Sequence, residues 1–385
     1  MPASKKIRVA VLYGGRSGEH EVSLRSAASV VRNLDRNRFE VISVAIDKQG
    51  RWLLNDSVKI SELAGKSAVL AILPDAIPVA LLPEVAQGKS AFVALENAGH
   101  KVAPIEFDVV FPVIHGPLCE DGTIQGILEL AEVPYVGCGV LASSVGMDKD
   151  VAKRLARDAG LPIVPFVSLR TGAWLKSSEK MGQVRERVQR ELGFPVFVKP
   201  ANMGSSVGVH KVREAANFDQ AVKDAFRYDT KVLVERAVDA REIEIAVMEN
   251  SEAGGAPLVS VVGEIVPTHE FYSYEAKYLD ENGAVLKIPA DLNLEQIRIV
   301  QQLGRDIFEA LECEGMARVD LFLDRTSGKF FFNEVNTIPG FTSISMYPKL
   351  WEAAGMGYSE LLSRLVDLAL ARQVRKHALL REFKA

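Results

Sequence analysis

The sequence predicts a multidomain protein of α/β and α+β classes, with an open parallel sheet at its N-terminus. Three observations carry this. Short β-branched runs alternate with amphipathic helical stretches through the first third, the βαβ rhythm of a parallel sheet. The last third is instead rich in strands, grouped around one long helix. The chain has 385 residues, which at about 150 residues per domain suggests two to three domains.

Ile7 to Tyr13 is a short apolar run ending at Gly14-Gly15, the pattern of a strand buried on both faces. Leu24, Ala27, Ala28, Val31 and Leu34 then recur at helical spacing. Phe39 to Ile46 and Phe107 to Ile114 read as further strands, with an irregular stretch from about 50 to 105 between them. In open sheets of this kind, ligands sit at the carboxyl ends of the strands. Asp148 to Ala159 and Glu179 to Leu192 follow as charged amphipathic helices. FPVFVKP is a strand, ANMGSS a turn and VGVHKV a second strand; Glu214 to Arg227 is helical and Lys231 to Glu235 a strand. Leu294 to Leu311 is the long helix. Gly315 to Leu323 and Lys329 to Val335 are strands joined by Asp324-Arg325-Thr326-Ser327-Gly328, a hairpin by composition and length. Tyr358 to Arg375 reads as a closing helix.

Composition excludes several function classes. Apolar residues make up 48% and charged residues 25%, too apolar for a disordered chain. The net charge of −4 excludes a broad basic surface for nucleic acid. The three cysteines, Cys119, Cys138 and Cys313, have no metal-ligand spacing and fit a reducing compartment. The most apolar stretch, Ala68 to Ala86, is broken by Asp75 and three prolines, whereas a spanning helix needs about 20 mostly apolar residues. The N-terminus reaches glycine too early for a secretory signal. The expectation is a cytoplasmic protein that binds neither nucleic acid nor membrane.

Four stretches carry chemistry. In MARVDLFLDRTSGKFFFNEVNTIPG, alternation places Arg318 and Asp320 on one face of a strand, and Glu334 and Asn336 on one face of its partner. Two carboxylates and an amide oxygen suit Mg²⁺, which binds few carboxylates plus substrate phosphates; a polar strand end turning into solvent is the plainer reading. In VFVKPANMGSSVGVHKV, Lys199 ends an apolar strand before a Gly-Ser turn whose N–H groups can approach phosphate. This is not the Walker pattern, and taken alone a Gly-Ser hairpin with a solvated lysine is the plainer reading. In VLVERAVDAREIEIAVM, residues 235–238 resemble a purine-binding linker with Glu235 as acceptor for an exocyclic amine, while Glu244 reads as an ordinary half-exposed strand residue. In HGPLCEDGTIQG, His115 follows a strand, and Asp121-Gly122-Thr123 opens a helix whose N-terminus favours an anion.

Together these stretches resemble the D-alanine–D-alanine ligases of the ATP-grasp superfamily. The resemblance rests on GGRSGEHEVS (14–23), HGPLCEDGTIQG (115–126), MDK (147–149), KPANMGSSVGV (199–209), FYSYEAKY (271–278), RVD (318–320) and NEVNTIPGFTSISMYP (333–348). These segments occur in family order over nearly the whole chain. FYSYEAKY and NEVNTIPGFTS are the most specific.

The resemblance implies an ATP-grasp fold behind a Rossmann-like N-terminal domain. Its spans are 1–140 on the first-substrate side, 141–235 as the central ATP-grasp subdomain, and 236–385 with the metal and second-substrate sites. It implies ATP-dependent joining of two D-alanine molecules through an acylphosphate, in peptidoglycan precursor synthesis, with two Mg²⁺ (or Mn²⁺) and a homodimer. Glu19 matches the acid holding the first ammonium. Lys149, Lys199 and Lys277 match the phosphate lysines. Glu235, Arg236, Val238 and Glu242 match the adenosine contacts, with Phe271 lining the adenine pocket. Asp320, Glu334 and Asn336 match the metal ligands. Arg318 and the Gly340 N–H match the groups stabilising the tetrahedral intermediate. Ser345 and Met346 match the second-substrate site, Ser205 and Tyr278 the partners of Glu19, and His115 lies near the first substrate. FYSYEAKYLDENG (271–283) looks like a closing lid.

Two positions depart from the family pattern. Cys119 stands where glycine is usual and implies a modest local shift, and Arg236 stands where lysine is common. The alternatives are a D-alanine–D-lactate or D-alanine–D-serine ligase, and a non-catalytic nucleotide-binding regulatory protein. Retention of Arg318 beside the metal set argues against the last.

Overall fold

A computed structural model describes residues 5–82, 90–95, 104–252, 254–267 and 284–380. Its strands form three sheets.

The first sheet comprises β1 (Ile7–Gly14), β2 (Phe39–Ile46), β3 (Trp52–Asn55), β4 (Ile77–Leu81), β5 (Ser90–Ala94), β6 (Ile105–Phe107) and β7 (Val109–Pro112), in the order β6-β5-β4-β3-β2-β1-β7. β1 is parallel to both β2 and β7, with Val9 opposite Val41 and Val109. The remaining pairings are antiparallel. The sheet is therefore mixed, and only its β2-β1-β7 half is the parallel array expected. The single strand expected over 107–114 is two: chain direction changes at Asp108, whose carboxylate accepts from the Arg8 N–H at 2.7 Å and from its guanidinium. β1 reads as a continuous apolar run because it is covered on both faces; Val9 to Tyr13 are all buried. Helix α1 (His20–Asn33) returns from β1 to β2, while α2 (Ser57–Lys66) follows β3 and α3 (Thr123–Leu130) follows β7.

The second sheet contains β8 (Phe166–Arg170), β9 (Val196–Pro200), β10 (His210–Val212) and β11 (Lys231–Arg236), ordered β10-β9-β11-β8 and wholly antiparallel. The turn between β9 and β10 is the Gly-Ser stretch; Ser205 and Ser206 adopt left-handed backbone, φ 52° and 59°. A linker of Ala237 to Asp239 then leads into the third sheet. Its strands are β12 (Ala240–Met248), β13 (Leu258–Pro267), β14 (Ala284–Lys287), β15 (Met316–Asp324) and β16 (Phe330–Asn336), ordered β14-β13-β12-β15-β16.

Packing crosses these boundaries. Ala142, Ala152 and Ala156, from α4 (Val140–Met147) and α5 (Lys149–Asp158), lie in one core with Ile243, Ile245 and Phe332 of the third sheet. The last long helix, Tyr358–His377, places Leu361, Leu365 and Val366 in the core of the first sheet beside Val109 and Phe111. Its Arg372 donates to the carbonyls of Gly137 and Tyr135, both at 2.6 Å, and stacks on the Tyr135 ring. Among the described residues, no helix is long and apolar enough to cross a membrane.

Candidate active site

Glu19 stands at the N-terminal cap of α1, yet its carboxylate caps nothing. It turns instead towards the second sheet and accepts from the Ser205 hydroxyl. Two glycines make room. A Cβ on Gly116, whose φ is +81°, would stand 2.6 Å from Glu19 Oε2, and one on Gly204 would stand 3.0 Å away. The HGPL loop, the Gly-Ser turn and the start of α1 thus converge on one carboxylate.

His115 lies beneath this corner. Its Nε2 meets Ser26 Oγ at 3.0 Å, and its Nδ1 lies 3.2 Å from the Ile338 carbonyl and 3.5 Å from Glu120. Ser26 Oγ also accepts from the Phe341 N–H. Burial acts to strip the imidazole of its proton, but the neighbouring Glu120 and Glu19 carboxylates outweigh it and raise the His115 pKa. Burial likewise pushes the Glu120 carboxyl upward. Cys119 does not need left-handed backbone; that conformation falls one residue earlier, at Leu118 with φ 69°. The Cys119 thiol is buried among Ile114, Ile124 and Leu128, and burial raises its pKa.

Across the third sheet the hairpin has the expected register. Arg318 faces Asn336, and Asp320 faces Glu334. The Arg318 guanidinium forks onto Asp320 with two bonds of 2.7 Å, and the Asn336 amide donates to Asp320 Oδ2 at 2.9 Å. Behind them stands Glu244, opposite Asp320 in the register with β12 and 3.0 Å from Arg318 Nε. Glu244 is 4% exposed; reading it as a half-exposed strand residue was wrong, because this face of β12 is covered by the site rather than by water. Burial alone would depress the Arg318 pKa, but Asp320 and Glu244 drive it well above the ordinary value.

Lys149 follows Asp148, which caps α5 by accepting from the Asp150 and Val151 N–H groups. Its ammonium lies 3.3 Å from Glu334 and donates to the Met203 carbonyl at 2.9 Å, so it spans the hairpin and the Gly-Ser turn. Lys199 lies 2.5 Å from Glu235 Oε2, and buried Lys153 lies 3.2 Å from Oε1. The Glu235 carboxylate is therefore held by two lysines. In the linker, the Arg236 N–H donates to Pro165 and the Ala237 N–H to Pro195, while the Arg236 side chain is exposed and Val238 half-buried. Glu242 is half-buried on the same face of β12 as Glu244.

Ser345 precedes the helix that starts at Met346, and its hydroxyl meets Thr342 Oγ1 at 2.8 Å and accepts from the Thr342 N–H. A Cβ on Gly340 would stand 2.7 Å from Ser345 Oγ, and Met346 is buried against Gly263. Phe271, Lys277 and Tyr278, with the rest of 271–283, lie outside the described residues.

The arrangement fits phosphate and a hard cation. Asp320, Glu334 and Asn336 offer only oxygen donors, too few to enclose an ion alone but suited to Mg²⁺ completed by phosphate oxygens. Among the described residues no cluster of three His, Cys, Asp or Glu forms a self-sufficient metal cage.

Comparison with known proteins agrees with this geometry. The families described as D-ala D-ala ligase N-terminus and C-terminus match residues 8–138 and 155–367. The chain belongs to the D-alanine–D-alanine ligase family. It is 56% identical to D-alanine–D-alanine ligase A of Bradyrhizobium diazoefficiens over 98% of this chain and 99% of that one. It is 48% identical to the protein of the same name from Chromobacterium violaceum, covering 98% of each. Among solved structures it resembles the D-alanine-D-alanine ligase of Coxiella burnetii, with TM-score 0.77, 34% identity and 97% of each chain covered. It also resembles the VanG D-Ala:D-Ser ligase of Enterococcus faecalis, with TM-score 0.79, 34% identity, and 95% and 100% covered. These neighbours bear out the ATP-grasp fold.

Within this ligase scaffold, four contributors to the site were not singled out from the sequence. Lys153, Glu120 and Ser26 gave no signal, since each is an ordinary helix or loop residue until the sheets meet. Glu244 did carry one: it alternates with Glu242 opposite Ile243 and Ile245. Which of the two faces meets the site is a property of the assembled sheets.

Proposed function

We propose that the chain joins two D-alanine molecules into D-alanyl-D-alanine, using ATP and passing through an acylphosphate, as a step in making peptidoglycan precursors. The observation that carries this is the convergence of Arg318, Asp320, Glu334 and Asn336 with Lys149, which bridges to the Gly-Ser turn.

The units 1–140, 141–235 and 236–385 hold the first substrate, the phosphates, and the metal and second substrate respectively. Glu19 binds the first ammonium, with Ser205 and Tyr278 fixing the carboxylate and His115 flanking it. The first carboxylate attacks the γ-phosphorus, and ADP leaves. Lys149, Lys199 and Lys277 neutralise the phosphates, while Glu235, Arg236, Val238 and Glu242 contact the adenosine and Phe271 lines its pocket. Glu235 also holds Lys199 and Lys153. The amine of the second D-alanine, placed by Ser345 and Met346, then attacks the acyl carbonyl. Arg318 and the Gly340 N–H receive the negative charge that develops on its oxygen, and phosphate departs. Such catalysis is positioning and charge stabilisation. Two Mg²⁺ held by Asp320, Glu334 and Asn336 would add charge neutralisation at the phosphate oxygens. The reading includes a cytoplasmic homodimer, to be checked by sedimentation.

The test is ATP-dependent phosphate release across D- and L-amino acids, D-serine and D-lactate, with products identified by mass. D-Alanyl-D-alanine as the main product supports the reading. A depsipeptide or a serine-ended product in its place moves the chain to a neighbouring specificity. No amino-acid-dependent phosphate release overturns it.

A further inference from the structure

One buried carboxylate is shared by two lysines from different parts of the molecule. Glu235 and Lys199 both belong to the second sheet, on β11 and β9, and pair directly at 2.5 Å. Lys153 comes from α5, which packs in the core of the third sheet, and reaches the other Glu235 oxygen, Oε1, at 3.2 Å. Its ammonium also donates to the Phe332 carbonyl of β16 at 3.0 Å and lies over the Phe332 ring. Lys153 is 0% exposed. It therefore ties β11 of the second sheet to β16 of the third.

Lys199 has two uses for one charge. In this structure its ammonium is held by Glu235, and in the proposed reaction it serves nucleotide phosphate. A buried carboxylate holding a single cation retains it strongly, because separating the two leaves an unpaired charge out of water. A second cation on the other oxygen removes that penalty. We propose that Lys153 is a positioning residue that holds the Glu235 charge, so that Lys199 is free to engage nucleotide phosphates. The proposal rests on the ATP-dependent reading above.

Calorimetric binding of MgADP to the full chain tests it, alongside KM for D-alanine and a thermal melt. Lys153→Met keeps the length and removes the charge, leaving Glu235 with Lys199 alone. MgADP should then bind about tenfold or more weakly, the factor given by losing one charge-assisted contact, while KM for D-alanine stays near the wild-type value. Adding Glu235→Gln removes the charge that retains Lys199. The double variant should bind MgADP several-fold more tightly than K153M, because Lys199 is no longer retained. Unchanged MgADP affinity in folded K153M overturns the proposal, as does a double variant as weak as the single one. A merely structural lysine would alter D-alanine and nucleotide use together, which also counts against it. Should K153M not fold, Lys153→Gln takes its place: MgADP binding about tenfold weaker supports the proposal and unchanged affinity overturns it. Wild type that binds no nucleotide would instead strike the ATP-dependent reading, leaving the two failures distinguishable.

Discussion

The Ser205 hydroxyl donates to Glu19 Oε1, joining a turn of the second sheet to the first helix across 186 residues of sequence. The contact fixes the carboxylate proposed to receive the first ammonium. It also fixes the turn, whose two serines hold left-handed backbone. Ser205→Ala leaves Glu19 short of a donor at a cost of about 1–3 kcal/mol. The expected outcome is a fall of about ten- to a hundredfold in kcat/KM for D-alanine at the first site, with a smaller change in melting temperature. Unaltered steady-state kinetics would show that the hydroxyl does not set this carboxylate.

Gly116→Ala should damage the same corner from the other side. The added Cβ meets Glu19 Oε2 at 2.6 Å, and the residue sits at φ +81°. Left-handed backbone alone costs a non-glycine residue about 1–2 kcal/mol, and the displaced carboxylate adds a kinetic defect. Melting and initial rates measured together should show a larger loss in first-substrate use than in stability.

Glu334→Gln keeps the shape of the hairpin and removes a formal charge facing Lys149. The expected loss is about 3–4 kcal/mol of transition-state stabilisation, by analogy with other lost electrostatic groups. Turnover at saturating Mg²⁺ is the measurement. A rate near wild type would remove Glu334 from the metal set.

Glu235→Gln makes a pH-dependent prediction. Burial acts to raise the Glu235 pKa, but Lys153 and Lys199 outweigh it and hold the carboxyl below its ordinary 4.5. A folded-state pKa below the unfolded one adds stability that is fully present above pH 4.5 and lost as pH falls through the folded value. At neutral pH the variant should be less stable by about 3–5 kcal/mol, since two buried lysines lose their counter-charge. The gap to wild type should close as the solution is acidified below 4.5. Denaturant melts across that range would show it, and a constant gap would contradict the assignment.

The β15–β16 pairing was legible because alternation needs only local information: Arg318 with Asp320 and Glu334 with Asn336 fix the face once the turn is found. The antiparallel half of the first sheet was not. β3 to β6 are only three to five residues long, and although each pairs with its neighbour in sequence, strands so short show too few alternations to be read. The break at Asp108 was hidden because the residues on either side read as one run, and the bonds from Arg8 to its carboxylate exist only once β1 lies beside it. Glu244 and Lys153 were missed because their partners, Arg318 and Glu235, lie on other strands. Charge that looks solvated in one strand or helix becomes a buried pair only after the sheets come together.

The last helix completes the hydrophobic core of the first sheet, and this has a consequence for synthesis on the ribosome. β1 and β2 emerge first, but Leu361, Leu365 and Val366, which cover part of that core, emerge at the end. At roughly 5–20 residues per second, on the order of tens of seconds separate the two events. The nascent N-terminal strands must wait with apolar surface uncovered, a state open to chaperone capture and to aggregation. A premature stop that removes only the last helix should therefore yield insoluble chains rather than a shortened enzyme.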